Sequence, residues 1–175
     1  TTRAYAPGDA AMTALASILT QGKNSRLYRR LVYEEQIAQD VSAYNYTQLL
    51  SGDFFLTITG RENVPLDRLE AAALEEIQKI AATPPSAEEL QRVVAGIETQ
   101  TIASLESLGE RADLLNYYLY YRGDPDAVNE TLEEFRRLTP ADIQAAARDY
   151  LVGKNRVVVS IVPTGQENLS AREDR

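Results

Sequence analysis

Residues 22–43 read GKNSRLYRRLVYEEQIAQDVSA, and the pattern changes within this stretch from that of a helix to that of a strand. Asn24 or Ser25 can cap a helix that runs to about Glu35, because a side-chain oxygen at that position accepts a hydrogen bond from the first helical turn. From Asp40 onward, side chains alternate with period two, which is typical of a strand. A helix followed directly by a strand is therefore predicted here.

The flanking sequence predicts further helices and two more strands. Residues 53–60 have apolar side chains at alternate positions, so they pair with residues 40–47 as a hairpin or meander. Residues 156–162 form an apolar, β-branched run, which is typical of a central strand buried on both faces. Asp9 is predicted to cap the first helix, and Gly109 to break or kink the longest one. Helices are expected at about 9–21, 65–82, 86–109, 111–121, 124–138 and 140–151.

A run of helices between two groups of strands indicates an α+β fold, since a doubly wound fold would alternate strand and helix. We expect a mixed, mostly antiparallel β-sheet with a layer of helices on one face. A chain of 175 residues suits one domain, which we place at residues 1–163. Residues 164–175 are polar and are expected to form a C-terminal tail. The chain starts at Thr1 and not at Met, and we expect it to be a piece of a longer protein.

The composition excludes several classes of function. The chain has no His and no Cys, on which nearly all protein zinc sites and the His-assisted catalytic triads depend. Its 18 basic and 26 acidic residues give a net charge of −8, which disfavours nucleic acid because phosphate binding needs a cationic surface. No uninterrupted apolar stretch reaches about 18 residues, so no membrane-spanning helix is expected.

Three local patterns have both a functional and a structural interpretation. Arg29–Arg30 with Glu34–Glu35 fits a basic substrate-binding spot or, as we favour, ion pairs along one helix. The run Tyr117–Tyr121 fits a helix packed on two sides or a contact with a partner domain. Adjacent carboxylates on a helix point about 100° apart, so they are expected to be solvated and not to form acid–base pairs. Such neighbours occur at Glu75–Glu76, Glu88–Glu89 and Glu133–Glu134.

The stretch at 22–43 resembles the G…SRLY…LV…A…VSA segment of zinc peptidases of the pitrilysin and mitochondrial processing peptidase family. Further segments are similar to that family in the same order, and the resemblance spans about residues 6–163. These segments are Pro85–Leu90, Gly123–Pro125, Leu138–Ile143 and the valine-rich run that ends at Pro163.

Active members of that family carry an inverted zinc motif, H-x-x-E-H, on one helix, where zinc activates a water and the Glu acts as base. The helix after Asp9 has no His, so the resemblance implies a non-catalytic, C-terminal-type domain with no cofactor of its own. Zinc is then expected only in a catalytic lobe, on the same chain or on a partner subunit. Closure of the two lobes would form a chamber around an unfolded peptide substrate.

Some domains of this family carry an Arg and a Tyr, seven residues apart, that reach the substrate near the zinc. The resemblance places those two positions at Val32 and Gln39. Val32 cannot stabilise an oxyanion, and Gln39 offers only an amide. Both are therefore candidates for substrate contact, and the chain is expected to contribute peptide binding and chamber closure but no chemistry. No catalytic residue and no metal ligand is predicted.

A second interpretation is a purely structural role. Core subunits of respiratory complexes also resemble this family, and a chain of that kind would be a scaffold without affinity for peptide. An independent carboxylate-dependent enzyme finds little support, because no convergent pair of acids is visible. For localisation, the resemblance favours an exported bacterial protein, in the periplasm or attached to the cell envelope.

Overall fold

A computed structural model describes residues 1–171, which form six α-helices and an antiparallel β-hairpin. The strands are β1 (Ala38–Thr47) and β2 (Gly52–Gly60). The helices are α1 (Asp9–Thr20), α2 (Leu66–Ala82), α3 (Ala87–Ser104), α4 (Leu108–Arg122), α5 (Val128–Arg136) and α6 (Pro140–Ala146). Two π-helical segments, Tyr28–Glu34 and Ala147–Leu151, and a 3-10 turn at Glu167–Leu169 complete the described elements.

The β-hairpin presents one apolar face to the helices. β1 and β2 pair antiparallel, with Val41 opposite Ile58 and Tyr44 opposite Phe55. Side chains alternate between the two faces of a strand, so Val41 and Ile58 pack against the core, whereas the exposed rings of Tyr44 and Phe55 stack with centroids 5.0 Å apart. The predicted α+β class, with helices on one face of the sheet, is confirmed.

Helix α1 lies at the centre of the core. Its buried face includes Met12, Leu15, Ile18 and Leu19, which are at most 2% exposed. β1 covers one side of this helix, and α3, α5 and α6 contact it from other sides. Full burial of a side chain of this size contributes roughly 1.5–3 kcal/mol. The α1 face is therefore a major source of the stability of the domain.

Asp9 begins α1, but it is not the N-cap that the sequence predicted. Gly8 occupies that position at a φ of 95°, a conformation that residues with a Cβ rarely adopt. The Asp9 carboxylate instead accepts hydrogen bonds from the Tyr5 N–H at 2.7 Å and from Asn45 Nδ2 at 3.0 Å. Burial raises the pKa of Asp9, and these two hydrogen bonds oppose that shift. The Asp9 side chain thus ties the residues before α1 to β1.

The helix predicted from residue 24 or 25 to Glu35 is present, but most of it is π-helical. The N–H of Glu35 donates to the carbonyl of Arg30, five residues back, at 2.8 Å. This wider turn still buries Leu27 and Leu31 completely. The segment thus has a buried apolar face, while its hydrogen-bond pattern differs from that of an α-helix.

The long middle helix ends before Gly109, where the sequence predicted a break or kink. The interruption lies at residues 105–107, and Gly109 is inside α4. Ser107 starts α4 by accepting a hydrogen bond from the Glu110 N–H at 3.4 Å, and Arg111 donates two hydrogen bonds to the Leu105 carbonyl, at 2.9 and 2.6 Å. The interruption between α3 and α4 is therefore stabilised by the Ser107 cap and by the Arg111 guanidinium on the Leu105 carbonyl. It does not depend on the flexibility of Gly109.

The final predicted helix is confirmed at both ends. Thr139 Oγ1 accepts a hydrogen bond from the Asp142 N–H at 3.3 Å, and the Asp142 carboxylate accepts one from the Thr139 N–H at 2.8 Å. This reciprocal pair is a capping box, which satisfies two otherwise unpaired donors. The helix continues beyond α6 in π-helical form to Leu151.

The prediction of a central buried strand at residues 156–162 is wrong. This segment belongs to no strand, and the side chains of Val157, Val159 and Ile161 are 90%, 77% and 88% exposed. Arg156 anchors its start through an ion pair with Glu70 at 3.0 Å. The β-branched run has the right composition for a strand, but no strand within residues 1–171 lies beside it to complete a ladder.

The chain after Pro163 is polar, as the sequence indicated, and is largely exposed up to residue 168. The N–H of Ala171 donates to Ser160 Oγ at 3.0 Å, which holds the tail beside the preceding segment. The rest of the predicted tail, residues 172–175, lies outside the described residues. The division into a domain at 1–163 and a tail at 164–175 stays a prediction.

Truncation of Leu15 measures how far the fold depends on α1. We expect Leu15→Ala to lower the free energy of unfolding by about 2–5 kcal/mol, because it removes a fully buried side chain and leaves a cavity. Leu50→Ala, at an exposed position of the hairpin turn, is the control and should change that free energy by less than about 0.5 kcal/mol. Urea unfolding followed by circular dichroism gives both values, and similar losses for the two variants would contradict this account.

Candidate functional site

Helix α1 is the first helix of the domain, and its residues do not fit a metal. The chain contains no His and no Cys, and the inward face of α1 is apolar apart from Thr20, whose hydroxyl donates to the Ala16 carbonyl and accepts from the Ala43 N–H. Within residues 1–171 no group of three or more His, Cys, Asp or Glu side chains is placed to hold a metal ion. Zinc in proteins takes imidazole, thiolate and carboxylate ligands in a close tetrahedral set. No zinc chemistry can therefore be assigned to these residues.

Arg30 is the centre of a network of ion pairs beneath the π-helical segment. Its guanidinium contacts Glu35 at 2.7 Å, Glu75 at 2.7 Å and Glu76 at 3.0 Å. The prediction that Glu75 and Glu76 form a solvated face is wrong for Glu76, which is 7% exposed and also contacts Lys79 at 2.6 Å. Arg30 therefore joins the segment at 22–43 to α2, and does not form a free basic spot for substrate.

A second ion pair joins the same segment to α3. Arg26 makes a two-pronged contact with Glu89, with nitrogen–oxygen distances of 2.8 and 2.9 Å. The hydrogen bonds from Arg26 lower the pKa of Glu89, so its carboxylate is not the solvated side chain that we predicted. Ser86 caps α3 by accepting a hydrogen bond from the Glu89 N–H at 3.1 Å. The Glu89 side chain does not complete a capping box with Ser86, because it is directed to Arg26.

The two candidate substrate-contact residues lie in different environments. Val32 is half-buried and packs against the hydrophobic core. Gln39 is exposed and lies at an irregularity of β1, where the pairing shifts between Ala38 and Asp40. A bulge of this kind redirects the side chain of the extra residue. Of the two candidates, Gln39 has the more accessible side chain.

Gln39 lines a groove of about 1390 Å³ that lies between β2 and residues 154–163. Thr1 lies near the Gly52 end of β2, and Gln39 lies near the Gly60 end. The exposed side chains of Val157, Val159 and Ile161 line this groove, as do residues along the whole of β2 after Gly52. The groove combines apolar side chains with a strand edge, and is a candidate binding surface.

An aromatic cluster joins the N-terminal residues to α4. The Tyr5 ring lies 6.1 Å from the ring centroids of both Tyr117 and Tyr118, and 6.5 Å from that of Tyr121. The Arg122 guanidinium carbon lies 4.7 Å from the Tyr5 centroid. Burial raises the pKa of Tyr5, with the Tyr117 and Tyr118 hydroxyls adding to that shift and Arg122 opposing it. This phenol is therefore neutral and acts as a packing residue.

Helix α4 is packed on one side only, which corrects the prediction of a helix buried on two sides. Tyr118 is 4% exposed, whereas Tyr117 and Tyr120 are exposed. The outward face also carries three leucines with spacings of seven and four residues, which places them on one stripe. They are Leu108, Leu115 and Leu119. Sequence reasoning noticed the tyrosines and missed this stripe, although its helical spacing was visible.

The family to which the chain belongs follows from comparison with known proteins. Residues 4–97, more than half of the chain, match the family described as the peptidase M16 inactive domain, and the chain belongs to that family. It is 26% identical over 154 residues to the zinc protease PqqE of Helicobacter pylori, covering 87% of this chain and 34% of that protein. A zinc protease of Streptomyces coelicolor is 25% identical over 164 residues, covering 94% and 35%. The chain thus spans about a third of the length of these curated relatives.

Solved structures have the same fold. An inactive peptidase domain from Bordetella parapertussis superimposes with a TM-score of 0.82 at 23% identity, over 94% of this chain and 87% of that one. A chain of complex III2 from Candida albicans gives 0.73 at 15% identity, over 85% and 37%. The periplasmic protease PqqL of Escherichia coli gives 0.64 at 21% identity, over 86% and 16%. At these identities the likenesses concern the fold alone.

The prediction of a pitrilysin-type, non-catalytic domain is therefore confirmed. This chain is an inactive peptidase domain of a zinc protease family, with bacterial relatives, and it is not catalytic on its own. No helix within residues 1–171 combines the length and apolar character needed to cross a membrane.

The Arg26–Glu89 pair predicts a pH-dependent stability. The pKa of Glu89 is lowered in the folded chain, so the pair stabilises the fold above the unfolded value of roughly 4.3 and that gain is lost as the pH falls through the folded pKa. At pH 7 we expect Glu89→Gln to lower the free energy of unfolding by about 1–3 kcal/mol. Below pH 4 the difference from the wild-type chain should shrink.

Urea unfolding between pH 3 and pH 7 measures this dependence. Glu88→Gln is the matched control, because Glu88 is the exposed neighbour of Glu89 on α3. It should change the free energy of unfolding by less than about 0.5 kcal/mol at every pH. A loss for Glu89→Gln that stays constant across the pH range would show that the pair does not act through the Glu89 charge.

Proposed function

We propose that this chain is the non-catalytic lobe of a zinc metalloendopeptidase, which packs against the catalytic lobe, encloses the peptide chamber and assists substrate binding. The observation that carries the proposal is the match of residues 4–97 to an inactive peptidase domain. Because the chain spans about a third of relatives that are zinc proteases, the rest of such a protein has room for a lobe with the zinc. That lobe belongs to the same polypeptide or to a partner subunit, and this chain holds no cofactor.

The outward face of α4 is the surface that we propose for contact with the catalytic lobe. Its exposed leucines and tyrosines form an apolar patch on a helix that the rest of the described chain covers on one side only. Apolar patches of this kind on a domain surface mark contacts with another protein surface. The alternative interpretation of the tyrosine run, a partner-domain contact, is therefore the one that we retain.

Substrate contact is proposed at Gln39, whereas Val32 contributes only packing against the core. Gln39 is exposed, and its amide can donate to and accept from the backbone of an unfolded peptide. Val32 is half-buried against the core and presents no polar atom on its side chain.

The net charge of −8 argues against nucleic acid as a partner. The bacterial periplasm or cell envelope is the proposed location, supported by the fold shared with a periplasmic protease.

A scaffold role is the second candidate function. The fold is shared with a chain of complex III2 from Candida albicans, at an identity of 15%. A scaffold domain would pack against neighbours through the same α4 face and would have no affinity for peptide. Peptide binding therefore separates the two candidates, whereas lobe contact does not.

A negative charge introduced on the outward face of α4 tests the proposed contact with the catalytic lobe. In the longer protein that contains this chain, we expect Leu119→Glu to lower peptidase activity by roughly tenfold, which corresponds to about 1.4 kcal/mol of lost association. Leu50→Glu introduces the same charge at an exposed leucine of the hairpin turn and should leave activity unchanged. The melting temperature of the chain should be the same in both variants. Equal activity of the two variants would remove α4 from the lobe contact.

Peptide affinity is measured by fluorescence anisotropy of fluorescein-labelled, reduced and carboxymethylated α-lactalbumin, a long unfolded chain. We expect saturable binding to the domain, weakened by Gln39→Ala and unchanged by Gln91→Ala, which alters an exposed Gln on α3. No binding by the wild-type chain would favour the scaffold role.

Calorimetric titration with zinc should show no site tighter than about 1 µM, and a tighter site would contradict both candidate functions.

A further inference from the structure

The outer face of the hairpin carries three aromatic side chains that the rest of the described chain leaves about half exposed. Tyr44 and Phe55 face each other across the ladder, with ring planes 18° apart and centroids 5.0 Å apart. Tyr46 lies edge-on to Phe55, with centroids 6.5 Å apart. The three side chains are between 43% and 52% exposed. Cross-strand packing explains why the rings touch each other, and it leaves their outer surfaces open to a ligand.

The charge on this face is negative only. Asp40 and Asp53 are the sole charged residues between residues 38 and 60, and neither strand contains Lys or Arg. Both carboxylates are exposed on the aromatic face, with Asp53 directly opposite Tyr46 in the ladder. Neither forms an ion pair within residues 1–171. The face therefore combines open rings with carboxylates that have no cationic partner in the described chain.

A guanidinium group has the chemistry that this face complements. Residues directly opposite each other in an antiparallel pair have Cβ atoms about 4.5–5.5 Å apart, so a planar cation on the Tyr46 ring is within reach of the Asp53 carboxylate. Arginine stacks on aromatic rings, pairs with carboxylates and is less strongly hydrated than lysine. The same contact occurs inside this molecule, where the Arg122 guanidinium carbon lies 4.7 Å from the Tyr5 centroid.

We propose that Tyr46 and Asp53, flanked by Tyr44 and Phe55, form a subsite for an arginine side chain of an unfolded peptide. The proposal rests on the function proposed above, because it requires that the domain contacts peptide. It adds the class of peptide that this face selects. Chains with arginine are favoured over chains that carry a neutral or acidic side chain at the same place, since only a cation gains from both the rings and the carboxylate.

The subsite is continuous with the substrate contact proposed at Gln39. Tyr46 lies seven residues beyond Gln39 on β1, and each residue of a strand advances the chain by about 3.3 Å. An extended peptide of about seven residues can therefore reach both positions. Asp40, next to Gln39, places the second carboxylate at that end of the same face.

Two matched peptides test the selection for arginine. Each is a short, fluorescein-labelled chain of Gly, Ser, Thr and Gln, and one carries Arg at two central positions where the other carries citrulline. Citrulline has nearly the same shape as arginine but no charge, because an oxygen replaces one guanidinium nitrogen. We expect the chain to bind the arginine peptide about tenfold more tightly, measured by fluorescence anisotropy. The δ-methylene protons of the bound arginine should shift upfield in NMR spectra, because they lie over a ring.

Single substitutions assign the selection to this face. Asp53→Asn and Tyr46→Leu should each reduce the preference for arginine to about threefold or less, and should leave affinity for the citrulline peptide unchanged. Glu88→Gln is the matched control for charge, because it removes a carboxylate that is exposed on α3. Tyr33→Leu is the matched control for the ring, because Tyr33 is 76% exposed outside the hairpin. Both controls should keep the full preference.

The outcomes separate this subsite from the proposed function. Equal affinity for the two peptides, or binding of neither, would overturn the subsite while the long unfolded chain used above still binds. An equal loss of preference in Glu88→Gln and Asp53→Asn would also overturn it, by assigning the selection to the net charge of −8. Failure of the wild-type chain to bind the long unfolded chain as well as both peptides would overturn the subsite and peptide binding together.

Discussion

The packing of the hairpin onto α1 is the contact on which the rest of the domain depends. A two-stranded hairpin alone is at best marginally stable in water, and a helix of 12 residues is too short to persist without burial of its apolar face. Each element supplies the surface that the other must cover. The helices that follow then cover the remaining sides of α1, and ion pairs from Arg26 and Arg30 hold the segment between helix and hairpin in place.

The same burial determines what this domain can do chemically. The inward face of α1 is filled by Met12, aliphatic side chains and the hydrogen-bonded Thr20, none of which is a usual zinc ligand. A helix used in this way provides mechanical support. The buried face of α1 serves packing, which agrees with the inactive peptidase family to which the chain belongs. Function is therefore to be sought on the outer surfaces.

Local patterns predicted local structure well and distant partners poorly. The hairpin and the helix that begins at Pro140 depend on neighbours within a few residues, and both were predicted. Glu76 and Glu89 were predicted to be solvated because their partners, Arg30 and Arg26, lie 46 and 63 residues away in sequence. The prediction of a strand at residues 156–162 was wrong for a related reason. Composition indicates a strand, but it does not show whether a neighbouring strand is present to pair with it. The position of Gln39 in the groove likewise depended on tertiary structure.

The Tyr5 ring has a mechanical consequence for the molecule. Three residues separate it from Thr1, which lines the groove, and it is inserted among the rings of α4. A displacement of the backbone at Thr1 would be transmitted, through this one phenol, to the helix whose leucines face outward. The end of the hairpin at Gly52 is thus coupled mechanically, through residues 1–5, to the outward face of α4.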